Sequence, residues 1–252
     1  MQRILDLDLD FFVDGVAHDR AADAGRLDGE DYPPWSTADA LAFLKDGCNL
    51  TKKLPGFVVE HHGELFPLWR DAIAAGKLTP PFEVVHVDAH ADLGLGDSSY
   101  VYLLTSLLFE EPEDRSFPTV GDSGLNDGSW LTFAVASRWI NNLTYVYNGE
   151  GPRASDIHPY VMEGFVTHGA HIELAAMDRA ELDKVMHMSS TPPVVHHLEP
   201  KVPFRSVPWR TFQAAGEFDV VCLARSPSFT PAESDILFDE IRERFIDEKP
   251  YG

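Results

Sequence analysis

A chain of 252 residues with 44% apolar and 11% aromatic side chains has enough material for a real core, which excludes global disorder and favours a single α/β domain over residues 1–252. Its formal charge of −21 is spread along the chain, so nucleic acid and anionic membrane are excluded as partners, while cations and a basic peptide are not. Cys48 and Cys222 lie outside any Cys-x-x-Cys pair, no apolar run approaches a membrane span, and the polar start Met1-Gln2-Arg3 is no secretory leader, so a reducing, cytoplasmic setting is expected.

In chain order, Ile4 to Phe12 alternates apolar and acidic residues before turning wholly apolar, which predicts a strand. Residues 36–54 and 60–77 read as helices; the second places Leu65, Leu68, Trp69 and Ile73 on one face, with Gly76 near its end. Phe82 to Val87 is a β-branched run ending on Asp88, as expected of a parallel strand buried on both faces. Residues 111–129 and 149–160 read as loops around a mixed apolar stretch, Trp130 to Tyr147. The prolines between 189 and 210 predict irregular or edge strands. Phe218 to Ala224 is a second buried strand. After it come an N-cap Thr230, Pro231 at the first helical position, a capping-box Glu233 and the stripe Leu237, Ile241 and Phe245. Strand, turn and helix in this alternation define an α/β fold.

Chemistry concentrates at the ends of the two strongest strands. Asp88 stands where an apolar run stops, and His90 and Asp92 follow at two-residue steps, so in extended backbone all three point the same way. Two carboxylates and an imidazole suit Mn²⁺ and, less exclusively, Zn²⁺ or Fe²⁺. Asp6, Asp8 and Asp10 share one face of the first strand; either that face is solvated at a sheet edge, or a cation offsets the repulsion of buried like charges. His61 and His62 are adjacent at a predicted helix start and point apart, so at most one can be a ligand.

The segments Val59-Glu60-His61-His62, His86-Val87-Asp88-Ala89-His90-Ala91-Asp92, Asp6-Leu7-Asp8-Leu9-Asp10-Phe11-Phe12 and Arg225-Ser226-Pro227-Ser228-Phe229-Thr230-Pro231 together resemble the arginase/agmatinase ureohydrolase superfamily. They look most like a divergent branch that includes the peptide arginases, which convert arginine residues of ribosomally made precursor peptides to ornithine. The resemblance spans most of the chain. It implies a three-layer α/β/α, arginase-like fold with a mainly parallel sheet, and a strand order rearranged because the Asp-x-Asp strand here opens the chain.

It also implies two Mn²⁺ ions. His62, Asp88, Asp92 and Asp8 would surround one, and Asp88, His90, Asp8 and Asp10 the other, with Asp8 and Asp88 bridging. Asp6 and His61 would stand outside the ligand shell. Asp92 or Asp10 would steer a metal-held water onto the guanidinium carbon, releasing urea. Candidate proton donors are His86, His168, His171, His196 and His197. Cys222 falls near the position where arginases carry a guanidinium-binding glutamate, so that carboxylate is unassigned. Arg225-Ser226-Pro227 either lines the site or serves as the turn before the last helix. Competing readings are a small-molecule ureohydrolase or amidohydrolase acting on an agmatine-like substrate, a binuclear phosphoesterase, and a non-catalytic module with a structural metal.

Overall fold

The most continuously apolar segments become adjacent parallel strands. The computed structural model describes all residues except 19, 22, 95–97, 150–156, 167–168, 188–190 and 250–252. The strands are β1 (Arg3–Asp8), β2 (Leu54–Val59), β3 (Phe82–Asp88), β4 (Ile140–Tyr147), β5 (His171–Ile172), β6 (Ala175–Ala176), β7 (His197–Leu198), β8 (Val202–Pro208), β9 (Val220–Ala224) and β10 (Ile246–Asp247). Eight of them form one sheet in the order β10-β2-β9-β1-β3-β4-β8-β5, parallel throughout except for β5, while β6 and β7 pair separately.

Helices cover both faces. Helices α2 (Leu65–Ala74), α3 (Ser99–Thr105), α4 (Trp130–Ala136) and α5 (Arg179–Met186) pack on one side, where Trp69, Trp130 and Phe133 meet Ile4, Val84 and Tyr145. Helices α1 (Thr37–Asp46) and α6 (Asp235–Phe245) pack on the other, where Phe43, Phe238 and Ile241 meet Leu5, Leu7, Val85 and Val221. The chain is therefore a three-layer α/β/α fold with a mainly parallel sheet, as expected. Among the described residues no helix is long and apolar enough to cross a membrane.

Several local expectations are corrected. The helix predicted over 36–54 ends at Asp46, and Leu54 instead opens a strand that lies between β9 and the short edge strand β10. Pro55 and Gly56 disguise that strand in the sequence. Gly56 is required there, because a Cβ would stand 2.0 Å from the Val221 carbonyl oxygen. The helix expected from residue 60 begins at Leu65, after a 3₁₀ turn over His62–Glu64. The first strand stops at Asp8, and Leu9–Phe12 form a 3₁₀ turn, so Asp10 is not on the strand. Thr230 does not cap α6. Its hydroxyl closes the preceding turn onto the Arg225 and Ser226 carbonyls, and a 3₁₀ turn over Ala232–Ser234 intervenes. The proline-rich segment supplies β8, which lies next to the sheet edge; only Val202 and Pro203 pair with β5, so its prolines break little of the ladder.

Candidate metal centre

In an open parallel sheet, ligands collect beyond the carboxyl ends of the central strands. Here β9, β1 and β3 lie side by side, with Asp6 in register with His86 on one side and Cys222 on the other. Asp6, Asp8, His86 and Asp88 all occupy the face that packs against α2 and α4. Asp10 joins them from the 3₁₀ turn after β1, His62 from the turn after β2, and His90 and Asp92 from the loop after β3. Asp92 reaches inward from a left-handed backbone with φ 51°, rather than from extended chain.

The structure brings together all six residues proposed as ligands. His62 Nδ1 lies 2.9 Å from Asp8 Oδ2, 3.1 Å from Asp88 Oδ2 and 3.1 Å from Asp92 Oδ2. His90 Nδ1 lies 2.9 Å from Asp10 Oδ2 and 3.7 Å from Asp88 Oδ1. Asp88 thus presents one oxygen to each histidine, whereas the contacts of Asp8 place it with His62. Five of the six side chains are at most 5% exposed, and only His90 reaches further toward solvent.

Both imidazoles are held so that Nδ1 faces the carboxylates. Nε2–H of His62 donates to Asp6 at 3.1–3.2 Å, and Nε2–H of His90 donates to the Ala17 carbonyl at 2.8 Å. A hydrogen-bonded outer nitrogen is the usual device for orienting a metal-ligating histidine. Among the described residues, His62 Nδ1 and Asp88 Oδ2 are buried with no partner at good hydrogen-bond geometry, although carboxylate oxygens crowd His62 Nδ1 at 2.9–3.1 Å. Donor atoms about 2.1 Å from one cation at right angles are about 3.0 Å apart, which matches the spacing around His62 Nδ1. The buried Asp/His groups can therefore hold metal, and the donor set fits a hard-to-borderline divalent ion.

The electrostatics of the metal-free cluster make the same point. Burial, followed by the charge of Asp10, pushes the Asp8 carboxyl up to about 6. Burial and the charges of Asp10, Asp92 and Asp8 push Asp88 well above the carboxylate range. Burial works against ionisation of Asp6 as well, but the charge of His62 and hydrogen bonds from His62 and His86 overcome it and hold Asp6 at about 2. Against their own burial, His62 is raised well above its ordinary value by Asp6 and Asp8, and His90 by Asp10 and Asp88. Raised carboxyls and raised imidazoles alike favour added positive charge inside the cluster, whether a proton or a cation.

Of the remaining candidates, only His86 stays inside the cluster. His61 points outward toward Asp127 at 3.7 Å. His86 is fully buried within the cluster itself, with Nδ1 2.7 Å from Asp6 and Nε2 3.1 Å from the His90 carbonyl and 3.3 Å from Asp88 Oδ2, so it also stands among the groups that could hold a metal. His171, His196 and His197 pair with Glu163, Asp178 and Glu199, none of which belongs to the cluster; His168 lies outside the described residues. Cys222 is buried beneath the site and its sulfur accepts from Trp69 Nε1 at 3.4 Å. Burial pushes its thiol well up, which disfavours the thiolate that ligation or nucleophilic attack needs. Cys48 is likewise a free, buried thiol.

Sequence reasoning missed two groups at the site: Trp130, whose indole N–H donates to Asp92 Oδ2 at 2.8 Å, and Phe229, whose ring meets that of His90 at 5.1 Å. A tryptophan in an apolar stretch carries no mark of a polar contact. The chain matches no protein-family model and no curated protein.

Proposed function

We propose that this chain is a dinuclear hydrolase related to the arginase/agmatinase superfamily, in the branch of the peptide arginases. It takes two Mn²⁺ ions and converts arginine residues of a precursor peptide to ornithine and urea in the cytoplasm. The observation that carries the reading is the cage around His62 Nδ1, a buried nitrogen facing three carboxylates, beside a second group built on His90 and joined to it through Asp88. His62, Asp8, Asp88 and Asp92 would hold one ion; Asp88, Asp10 and His90, with Asp8 as the second bridge implied by the resemblance, would hold the other. Bound there, the ions would supply Lewis acidity, lowering the pKa of water and screening the clustered carboxylates.

The protein's own groups do the rest. Asp6 and the Ala17 carbonyl keep both imidazoles in the ligating tautomer, and Trp130 steadies Asp92. Burial of the carboxylates limits bulk water. An acidic surface favours a cationic arginine side chain, and His90, the ligand that reaches furthest toward solvent, has beside it the ring of Phe229, an aromatic group of the kind that takes a guanidinium.

The test is urea release by Mn²⁺-loaded protein offered arginine peptides, free arginine and agmatine, with Asp88→Ala/His90→Ala as control. Urea and an ornithine mass shift from peptides alone, lost in the control, is the expected result. Urea from a free guanidine alone would replace the peptide by a small molecule, and no urea from any substrate at full metal loading would overturn guanidine hydrolysis.

A further inference from the structure

A turn that demands positive φ is ordinarily built with glycine. At the end of β9 it is built with serine. Ser226 has φ 46° and ψ 63°, and Pro227 follows it, which further narrows its backbone choices. Bonds on both sides hold it there: its N–H donates to the Glu60 carbonyl at 2.9 Å, and its own carbonyl accepts from Phe229 N–H at 2.9 Å. Strained positions that persist in this way cluster at functional sites. What serine supplies and glycine lacks is a hydroxyl, and Ser226 Oγ donates to Asp8 Oδ2 at 2.6 Å.

That oxygen is the one 2.9 Å from His62 Nδ1. The other oxygen of Asp8 accepts from Asp10 N–H at 3.2 Å, so donors from two separate elements fix the carboxylate plane. Ser226 is 8% exposed, and its hydroxyl is committed to the site rather than to solvent. We propose that Ser226 is a positioning residue for the metal centre, its hydroxyl aiming Asp8 at the cation shared with His62. This inference rests on the metal reading above. Because Asp8 would also bridge to the second ion, loss of the hydroxyl reaches both, and most directly the ion built on His62, whose nitrogen lies beside the oxygen that Ser226 holds.

The experiment is Mn²⁺ titration by calorimetry of wild type, Ser226→Ala and Ser226→Gly, with the thermal shift on adding Mn²⁺ as a second readout. Both variants lack the hydroxyl, but the glycine variant also relaxes the turn, so it folds even if the alanine variant does not. The expected result is that each variant weakens Mn²⁺ binding by about 10–100-fold, with the larger loss at one of the two ions. A merely conformational role predicts the opposite for glycine. Wild-type affinity for both ions in Ser226→Gly would therefore overturn the inference while leaving the metal reading intact. Wild-type protein that binds no Mn²⁺ would overturn both.

Discussion

Replacing Asp8 by asparagine should stabilise the metal-free protein while destroying its metal site. Asp8 is 4% exposed, and burial and the charge of Asp10 outweigh its contacts with His62 and Ser226, raising its carboxyl from an ordinary 3.8 to about 6. Holding it ionised at neutral pH costs the folded state about 3 kcal/mol. Asparagine has nearly the same shape, keeps one oxygen for Ser226, and carries no charge. Its amide no longer accepts on the second side, which takes back about 1 kcal/mol. The net gain is about 2 kcal/mol, or a rise in Tm of roughly 2–4 °C per kcal/mol for a chain of this size.

The sign follows from the raised pKa. Below 3.8 the group is protonated in both the folded and the unfolded chain, so only the lost hydrogen bond remains and the variant should be about 1 kcal/mol the less stable there. The difference should change sign as pH rises from 3.8, and the variant's advantage should be complete above about 6. The assay is chemical denaturation of chelator-treated wild type and Asp8→Asn between pH 3.5 and pH 8. Equal destabilisation by the substitution across that whole range would refute the reasoning, because Asp8 would then be an ordinary structural hydrogen-bonding group.

Metal binding should weaken as pH falls below about 6, because the cation must displace the protons held by Asp8 and Asp88 and those on the raised His62 and His90. Calorimetry in buffers of different ionisation heat should register net proton release on Mn²⁺ binding at pH 7, and none would count against it. Of the adjacent histidines, His62→Ala should lose the ion coordinated by His62, whereas His61→Ala, whose side chain is 39% exposed, should leave both ions bound. Gly56→Ala should cost about 3 kcal/mol, since its Cβ would meet the Val221 carbonyl at 2.0 Å; a loss under about 0.5 kcal/mol by denaturation would contradict the packing of β2 on β9.

The parts of this molecule that could be read from the sequence are those with a one-dimensional signature. The β3 run and its terminal Asp88 announce a buried parallel strand with a ligand at its end, and the acids of β1 mark a face that needs neutralising. His62 could be singled out from His61 only through family resemblance; the structure accounts for the choice by the turn that points one inward and one outward. What the sequence hid is three-dimensional. Strand β2 carries Pro55 and Gly56 because Gly56 lies against the β9 backbone, a reason invisible until both strands are paired. Asp92 and Ser226 work from left-handed backbone, which neither residue type signals. Trp130 reads as core and is core, yet its N–H serves Asp92. Thr230 and Pro231 imitate a helix start because the same residue types close the turn that holds Ser226.

The most direct test is the number of metal ions per chain, measured by elemental analysis after dialysis against Mn²⁺ and removal of excess. The account predicts two ions in the wild type and loss of both in Asp88→Ala, since Asp88 gives an oxygen to each group. A wild type with no bound ion, or an Asp88→Ala protein that keeps two, would contradict it.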